Sequence, residues 1–261
     1  MYITAQTPTG GTEAECLFQQ AVDCHIGRNG RDSDLKSAQK LYAKALKKGS
    51  PKAALNLGYL YKTDVNLQPD REKRHRYMLA FFHKAAQLGC PEGLFCLYEA
   101  LERGQGIPRD HLKANKLLKK AALGGSVMAM ARMGALHIIA GNAKEGIFWL
   151  NKALAEGNGD AAYELAVFEK NTNRDIAGMI GFLRKGARMS SIKCIRTLAF
   201  IYELGQFGQE PAPKYAEELF ALQATIDPRY PPEEILNFDA RFPPRKIKPL
   251  PAMNAAALIC N

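Results

Sequence analysis

Apolar positions recur along this chain with the period of a helix, and the helical stretches themselves recur. After Pro51, the residues Ala54, Leu57, Leu60 and Tyr61 follow at spacings of three and four, so one face of that stretch is apolar. Pro51 lies just inside the helix start, where its missing N–H is no loss. Met78, Phe81, Phe82, Ala85 and Ala86 mark one side of a partner helix over 72–88. Gly89 ends it, as glycine commonly does beyond a C-terminus. Pro91 then repeats the placement of Pro51. Read this way, the chain holds six helix pairs: 13–26 with 34–48, then 51–88, 91–123, 127–156 and 159–189, and finally 191–205 with 213–224.

One column of residues ties the pairs together. Gly49, Gly89, Gly125, Gly157 and Ser190 stand at spacings of 40, 36, 32 and 33 residues. Five positions before each stands a lysine: Lys44, Lys84, Lys120, Lys152 and Lys185. A small or short pair follows the lysine, Ala85-Ala86 and Ala121-Ala122 being examples. Four positions after each anchor the residue is small: Ala53, Gly93, Ala129, Ala161, Cys194. Eight positions after, it is large and apolar: Leu57, Leu97, Met133, Leu165, Leu198. Small residues let two helix backbones approach. Large ones, such as Phe81-Phe82 and Trp149-Leu150, fill the space beside the crossing. Trp149 is therefore expected in the core. Self-similarity at this period predicts an all-α fold, an α-solenoid of about six helical hairpins forming a right-handed superhelix.

The character of the chain changes after Asp227. Of 14 prolines, most lie beyond residue 210, and Pro243-Pro244, Pro249 and Pro251 argue for extended chain. The expected organisation is a flexible segment over 1–12, the repeat solenoid over 13–226, and a Pro-rich C-terminal cap and tail over 227–261. Tyr230, Ile235, Leu236, Phe238 and Phe242 favour packing of that cap.

Composition changes the picture mainly through charge. Lys and Arg number 36 against 26 Asp and Glu, a net charge of +10. A basic surface suits nucleic acid, anionic lipid or an acidic protein. No apolar run reaches the roughly 18–20 residues of a membrane span. Residues 1–12 are polar and small and do not read as a signal peptide. The six cysteines are few for the length. Cys16 and Cys24 lie about 12 Å apart along a helix, beyond the roughly 7 Å that a disulfide tolerates between Cα atoms.

At 102–122 the wording is specific: Glu-Arg-Gly-Gln-Gly-Ile-Pro-Arg-Asp, then Lys-Ala, then Lys-Lys-Ala-Ala. The turn of Gly104, Gly106, Ile107, Pro108 and Asp110 and the helix end at Lys120-Ala121-Ala122 resemble Sel1-like repeats, relatives of tetratricopeptide repeats. The resemblance covers roughly 36–204 and implies protein–protein scaffolding without chemistry of its own. With Phe-Pro-Pro-Arg-Lys and Pro-Leu-Pro in 239–254, the chain also resembles immunity proteins of type VI secretion phospholipase effectors. That resemblance implies a protein that occludes a toxic lipase or phospholipase. It would act in the bacterial periplasm if a signal peptide has been removed, and in the cytoplasm otherwise. The alternative is a general scaffold or adaptor that binds a peptide or protein without inhibiting it.

The sequence offers no catalytic constellation to set against this. His25, His75, His83, His111 and His137 lack the close spacing of a zinc motif, and no Cys-x-x-Cys occurs. Gly104-x-Gly106 is a repeat turn, without the third glycine or preceding strand of a phosphate cradle. There is no Gly-x-Ser-x-Gly elbow and no P-loop. No cofactor, metal or enzymatic activity is expected. The expected partner is a protein, a secreted lipase or phospholipase toxin with an acidic surface, rather than nucleic acid, since the basic residues are not interleaved with exposed aromatics. The candidate contact residues are Arg71, Arg74, Arg76 and Tyr77, in the long connection read over 64–76, and Arg229, Tyr230, Arg245 and Lys246 on the tail.

Overall fold

The computed structural model describes residues 11–27, 32–226 and 238. These residues form twelve α-helices and no strand. In chain order the helices are α1 (Glu13–Ile26), α2 (Leu35–Lys47), α3 (Pro51–Thr63), α4 (Arg71–Gln87), α5 (Pro91–Arg103), α6 (His111–Leu123), α7 (Val127–Ile139), α8 (Ala143–Ala155), α9 (Gly159–Phe168), α10 (Ile176–Arg188), α11 (Ile192–Leu204) and α12 (Pro213–Thr225). They follow the six expected pairs. The fifth pair differs in one respect: α9 ends at Phe168 and widens into a π-helical turn, Glu169–Asn173. The run Glu-Lys-Asn-Thr-Asn has no apolar residue to hold a tighter register, and Arg174 closes it in the left-handed conformation. The chain divides within α7 into two compact units, Met1–Leu136 and His137–Asn261.

The repeating column is a repeating junction. Gly49, Gly89, Gly125 and Gly157 adopt φ between +84° and +103°, and Ser190 adopts +61°. At each junction the anchor's N–H donates to a carbonyl three residues back, and the next N–H donates to one five residues back. At the first, Gly49 N reaches Leu46 O at 2.8 Å and Ser50 N reaches Ala45 O at 3.0 Å; at the last, Ser190 N reaches Ala187 O and Ser191 N reaches Gly186 O, both at 3.0 Å. This left-handed closure satisfies carbonyls that the helix end leaves bare. The residue after the anchor then caps the next helix. Ser50, Ser126, Asn158 and Ser191 each accept a backbone N–H from the residue three ahead. Cys90 is the exception and makes no side-chain cap bond. One residue thus ends one hairpin and starts the next, which keeps the junctions short.

In the first unit, Phe18, Tyr42, Leu57 and Leu60 form a buried cluster with Ala21, Ala38, Ala45 and Ala53. A second cluster joins Met78 and Phe82 to Ala54, Leu55, Ala85 and Cys96. The small column does what its size permits. A Cβ on Gly93 would lie 2.7 Å from the backbone of both Ala86 and Phe82, so α4 and α5 touch through their main chains.

In the second unit, Leu150, Leu154, Leu165, Leu183 and Leu198 are buried, as is Trp149. Each fully buried leucine of this kind contributes about 1.5–3 kcal/mol. Here α9, α10 and α11 meet at Gly159, Gly186 and Cys194. A Cβ on Gly186 would strike Cys194 Sγ and sit 2.7 Å from Gly159 O. Phe238 is buried, with the Arg184 guanidinium 5.5 Å from its ring centre. The rest of the Pro-rich segment, with Tyr230, Ile235, Leu236 and Phe242, lies outside the described residues.

Candidate partner-binding face

The candidate basic cluster belongs to a helix and not to a connection. Asp70 accepts from Glu72 N at 2.9 Å and Lys73 N at 3.1 Å, so α4 begins at Arg71 and the connection is only 64–70. The backbone N–H of Lys73, more than any other group, holds the Asp70 carboxyl below the usual range. A capping aspartate followed by polar residues carries this signal in the sequence; the density of charge hid it.

The four candidates on α4 then separate by what they touch. Arg74 is half-buried, and its Nη1 donates to Gln68 O at 2.9 Å and Pro69 O at 3.5 Å. Its charge closes the 64–70 loop onto the helix. Arg71 and Arg76 are exposed. Tyr77 is 44% exposed, its ring tilted against Tyr61 with centroids 5.1 Å apart. Tyr61 stacks on Phe81 at 5.6 Å and accepts from Gln39 Nε2 at 2.6 Å. Tyr77 is therefore the exposed end of a file of rings tied back to α2. His75, half-buried, fits against Gly106, whose missing Cβ leaves the room. Burial first, then Arg71 and Arg74, push its pKa down, so the imidazole is neutral at physiological pH. Arg71, Arg76 and Tyr77 all fall in the first two turns of α4, but their spacing points them to different sides of the helix rather than to one face. Arg229, Tyr230, Arg245 and Lys246 lie outside the described residues.

A second set of polar residues was not singled out from the sequence. In the first unit, equivalent first helices are bonded to one another. Lys62 Nζ meets Glu99 Oε2 at 3.0 Å, Cys96 Sγ donates to Tyr59 Oη at 3.2 Å, and Arg132 Nε donates to Tyr98 Oη at 2.8 Å. In the second unit, Asp160 accepts from Ser191 Oγ at 2.6 Å and pairs with Lys193 at 3.1 Å. These partners stand one repeat apart. Only the repeat register, applied to the polar face as well as the apolar one, would have revealed them.

The described residues include no group of His, Cys, Asp or Glu placed to hold a metal. Cys16, Cys24, Cys90, Cys96 and Cys194 carry free thiols. Burial pushes the thiols of Cys96 and Cys194 up to about 12 and that of Cys90 to about 11, which removes thiolate at neutral pH. Among the described residues no helix is long and apolar enough to cross a membrane.

Hairpins joined by one repeated turn, with equivalent helices bonded in register, define a helical-repeat protein that meets its partners through surface. The Sel1 repeat pattern matches residues 17–50, 51–90, 94–126 and 127–158, and the chain belongs to the Sel1 repeat family. Its fold is similar to that of immunity protein PA5088 from Pseudomonas aeruginosa, with a TM-score of 0.71 and 21% identity over 92% of this chain and 91% of that one. Immunity protein Pa5087 from the same organism gives 0.64 and 19% over 89% of both chains. A Sel1 repeat protein from Oxalobacter formigenes gives 0.63 and 20% over 82% of this chain and 89% of that one.

Proposed function

We propose that this chain is an immunity protein that binds a secreted lipase or phospholipase toxin of a type VI secretion system and occludes its active-site cleft. The observation that carries the reading is likeness of fold over nearly the whole chain to two immunity proteins, PA5088 and Pa5087. Among the exposed residues at the start of α4, Tyr77 supports the reading as an aromatic ring held on Tyr61, and Arg71 and Arg76 supply exposed guanidinium groups on the same two turns. The net charge of +10 speeds capture of an acidic toxin. In this reading the chain acts in the periplasm, on the toxin before it reaches lipid.

The test is co-expression in the periplasm with any lipase-family protein found to be encoded beside its gene; lack of such a neighbour would itself weigh against the reading. Rescue of growth and stoichiometric inhibition of lipid hydrolysis are expected. Tyr77→Ala combined with Arg76→Glu is expected to weaken the complex by about 2 kcal/mol, roughly thirtyfold, with only the small fall in melting temperature that loss of the Tyr61 contact brings. Binding without inhibition would turn the reading toward an adaptor. Absence of both binding and rescue would end it.

A further inference from the structure

The cations of the first unit follow the outward stripes of its second helices. In α2, Ala38, Tyr42 and Ala45 face the core, and Lys36, Lys40 and Lys47 stand exposed on the opposite side. In α6, Ala114, Leu118 and Ala121 are buried, and Leu112, Lys116, Lys119 and Leu123 form one outward stripe. The α6 stripe has the four-three-four spacing of a single helix face, and Lys36, Lys40 and Lys47, four and seven apart, likewise share one face of α2. Between them, α4 reaches the buried cluster shared by α1, α2 and α3 through Phe81, and its His75 meets Gly106 in the turn that leads into α6. α3 lies against both α2 and α4, and α5 against both α4 and α6, so the three second helices flank one pair of first helices; on α4 the side opposite the buried Met78, Phe82 and Ala85 carries Arg76, Ala80 and His83.

Almost nothing acidic balances this face. Neither α2 nor α6 contains a carboxylate, and α4 has only Glu72. The capping residues Asp34, Asp70 and Asp110 at the helix starts have oxygens engaged by backbone N–H groups. Lys73 and Lys113 pair with Asp70 and Asp110. Among the described residues no carboxylate pairs with Lys40, Lys47, Lys116 or Lys119. The helix dipole accounts for the last-turn column of Lys44, Lys84 and Lys120. It does not account for Lys36 in a first turn, where a cation is unfavourable, or for Lys40 and Lys116 at mid-helix.

We propose that the outward face of α2, α4 and α6 docks on the surface of an anionic lipid bilayer. Three features select this occupant. The cations of α2 and α6 are lysines, point charges on long stems, whereas protein interface cores are depleted of lysine and enriched in arginine and aromatics. No aromatic ring stands on the α2 and α6 stripes for bases to stack on, as a single-stranded nucleic acid would require. Leu112 and Leu123, 79% and 64% exposed, bracket the lysines at the two ends of the α6 stripe. They lie about 16 Å apart along the axis, placed to enter the headgroup region on either side of the charge contacts. This docking is peripheral, and it stands whether or not the toxin-binding reading holds.

The test is co-sedimentation of the full chain with vesicles of pure phosphatidylcholine, and with vesicles in which one third of the lipid is phosphatidylglycerol. Binding is expected only to the latter, and it falls as salt is raised. Each lysine reversed among Lys40, Lys47, Lys116 and Lys119 lowers vesicle affinity by at least about fivefold. Leu112→Ser with Leu123→Ser lowers it further without changing the salt dependence. Arg76 stands on this face on α4, but none of the substituted residues is Arg71, Arg76 or Tyr77, so toxin inhibition measured without vesicles is a separate readout and is expected to persist in every variant. No binding to the anionic vesicles would overturn the proposal, as would equal binding to both vesicle types. So would tighter binding to a single-stranded oligonucleotide or an acidic peptide than to the vesicles. The lipid and salt dependence of the unmodified chain decides the matter even if a charge-reversed variant fails to fold.

Discussion

Arg74 and Gln68 are joined by a 2.9 Å hydrogen bond from guanidinium to main-chain carbonyl, and this single contact sorts one cation of α4 from its neighbours. Arg74 secures the 64–70 loop. Arg74→Ala is therefore expected to cost about 1 kcal/mol of stability, seen as a lower urea midpoint. Arg76→Ala, on the exposed side, is expected to leave that midpoint within experimental scatter while weakening partner capture. Equal midpoints for the two variants would show that the loop does not depend on Arg74.

Ser190 occupies a place that glycine holds at the other four junctions. Its φ of +61° strains any residue with a Cβ. Ser190→Gly should raise stability by up to about 1 kcal/mol, the gain being trimmed by the entropy of an unfolded glycine. Gly49→Ala is the reverse experiment. A Cβ there meets nothing within 4 Å, so the whole cost comes from the backbone at φ +90° and should be about 1–2 kcal/mol. Urea denaturation of the two variants measures both signs.

Gly93 and Gly186 are glycines for want of space. Alanine at either site pushes a methyl into backbone atoms 2.7 Å away. The expected loss is about 1–3 kcal/mol, because two helices must separate to make room. If Gly93→Ala cost no more than Gly49→Ala, close approach of α4 and α5 would not be what the small column provides.

The buried thiols make stability fall at high pH. Cys96 and Cys194 stay protonated in the fold up to about 12, against the ordinary value near 9.0 once exposed. Their contribution is intact below pH 9, and it declines as pH rises toward 12, because the unfolded chain loses protons first. Replacing both with alanine should flatten the denaturation midpoint between pH 9 and pH 11. At pH 8 a thiol reagent should modify the exposed Cys16 quickly, and reach Cys96 and Cys194 only after denaturant is added.

The helices and their order were legible in the chain because apolar spacing and the glycine column are local signals. A residue three or four positions away on the same helix is a neighbour in space whatever the rest of the fold does. The column even carried its own caps: Ser50, Ser126, Asn158 and Ser191 follow the anchors directly. The basic run falls both in the connection expected over 64–76 and, from 72, in an expected helix; it is helix from Arg71, and the capping signal of Asp70 is present in the chain but masked by the charges around it. What only the tertiary structure decided is which charges are free. Arg74 and Arg76 are two residues apart in sequence and alike in chemistry, yet one closes a loop and the other faces solvent. The same holds for Lys62 and Lys40: one pairs with Glu99 a repeat away, while the other makes no ion pair among the described residues. Such pairings depend on how successive hairpins stack, a geometry set by the small side chains at each crossing and readable only once those crossings are in place.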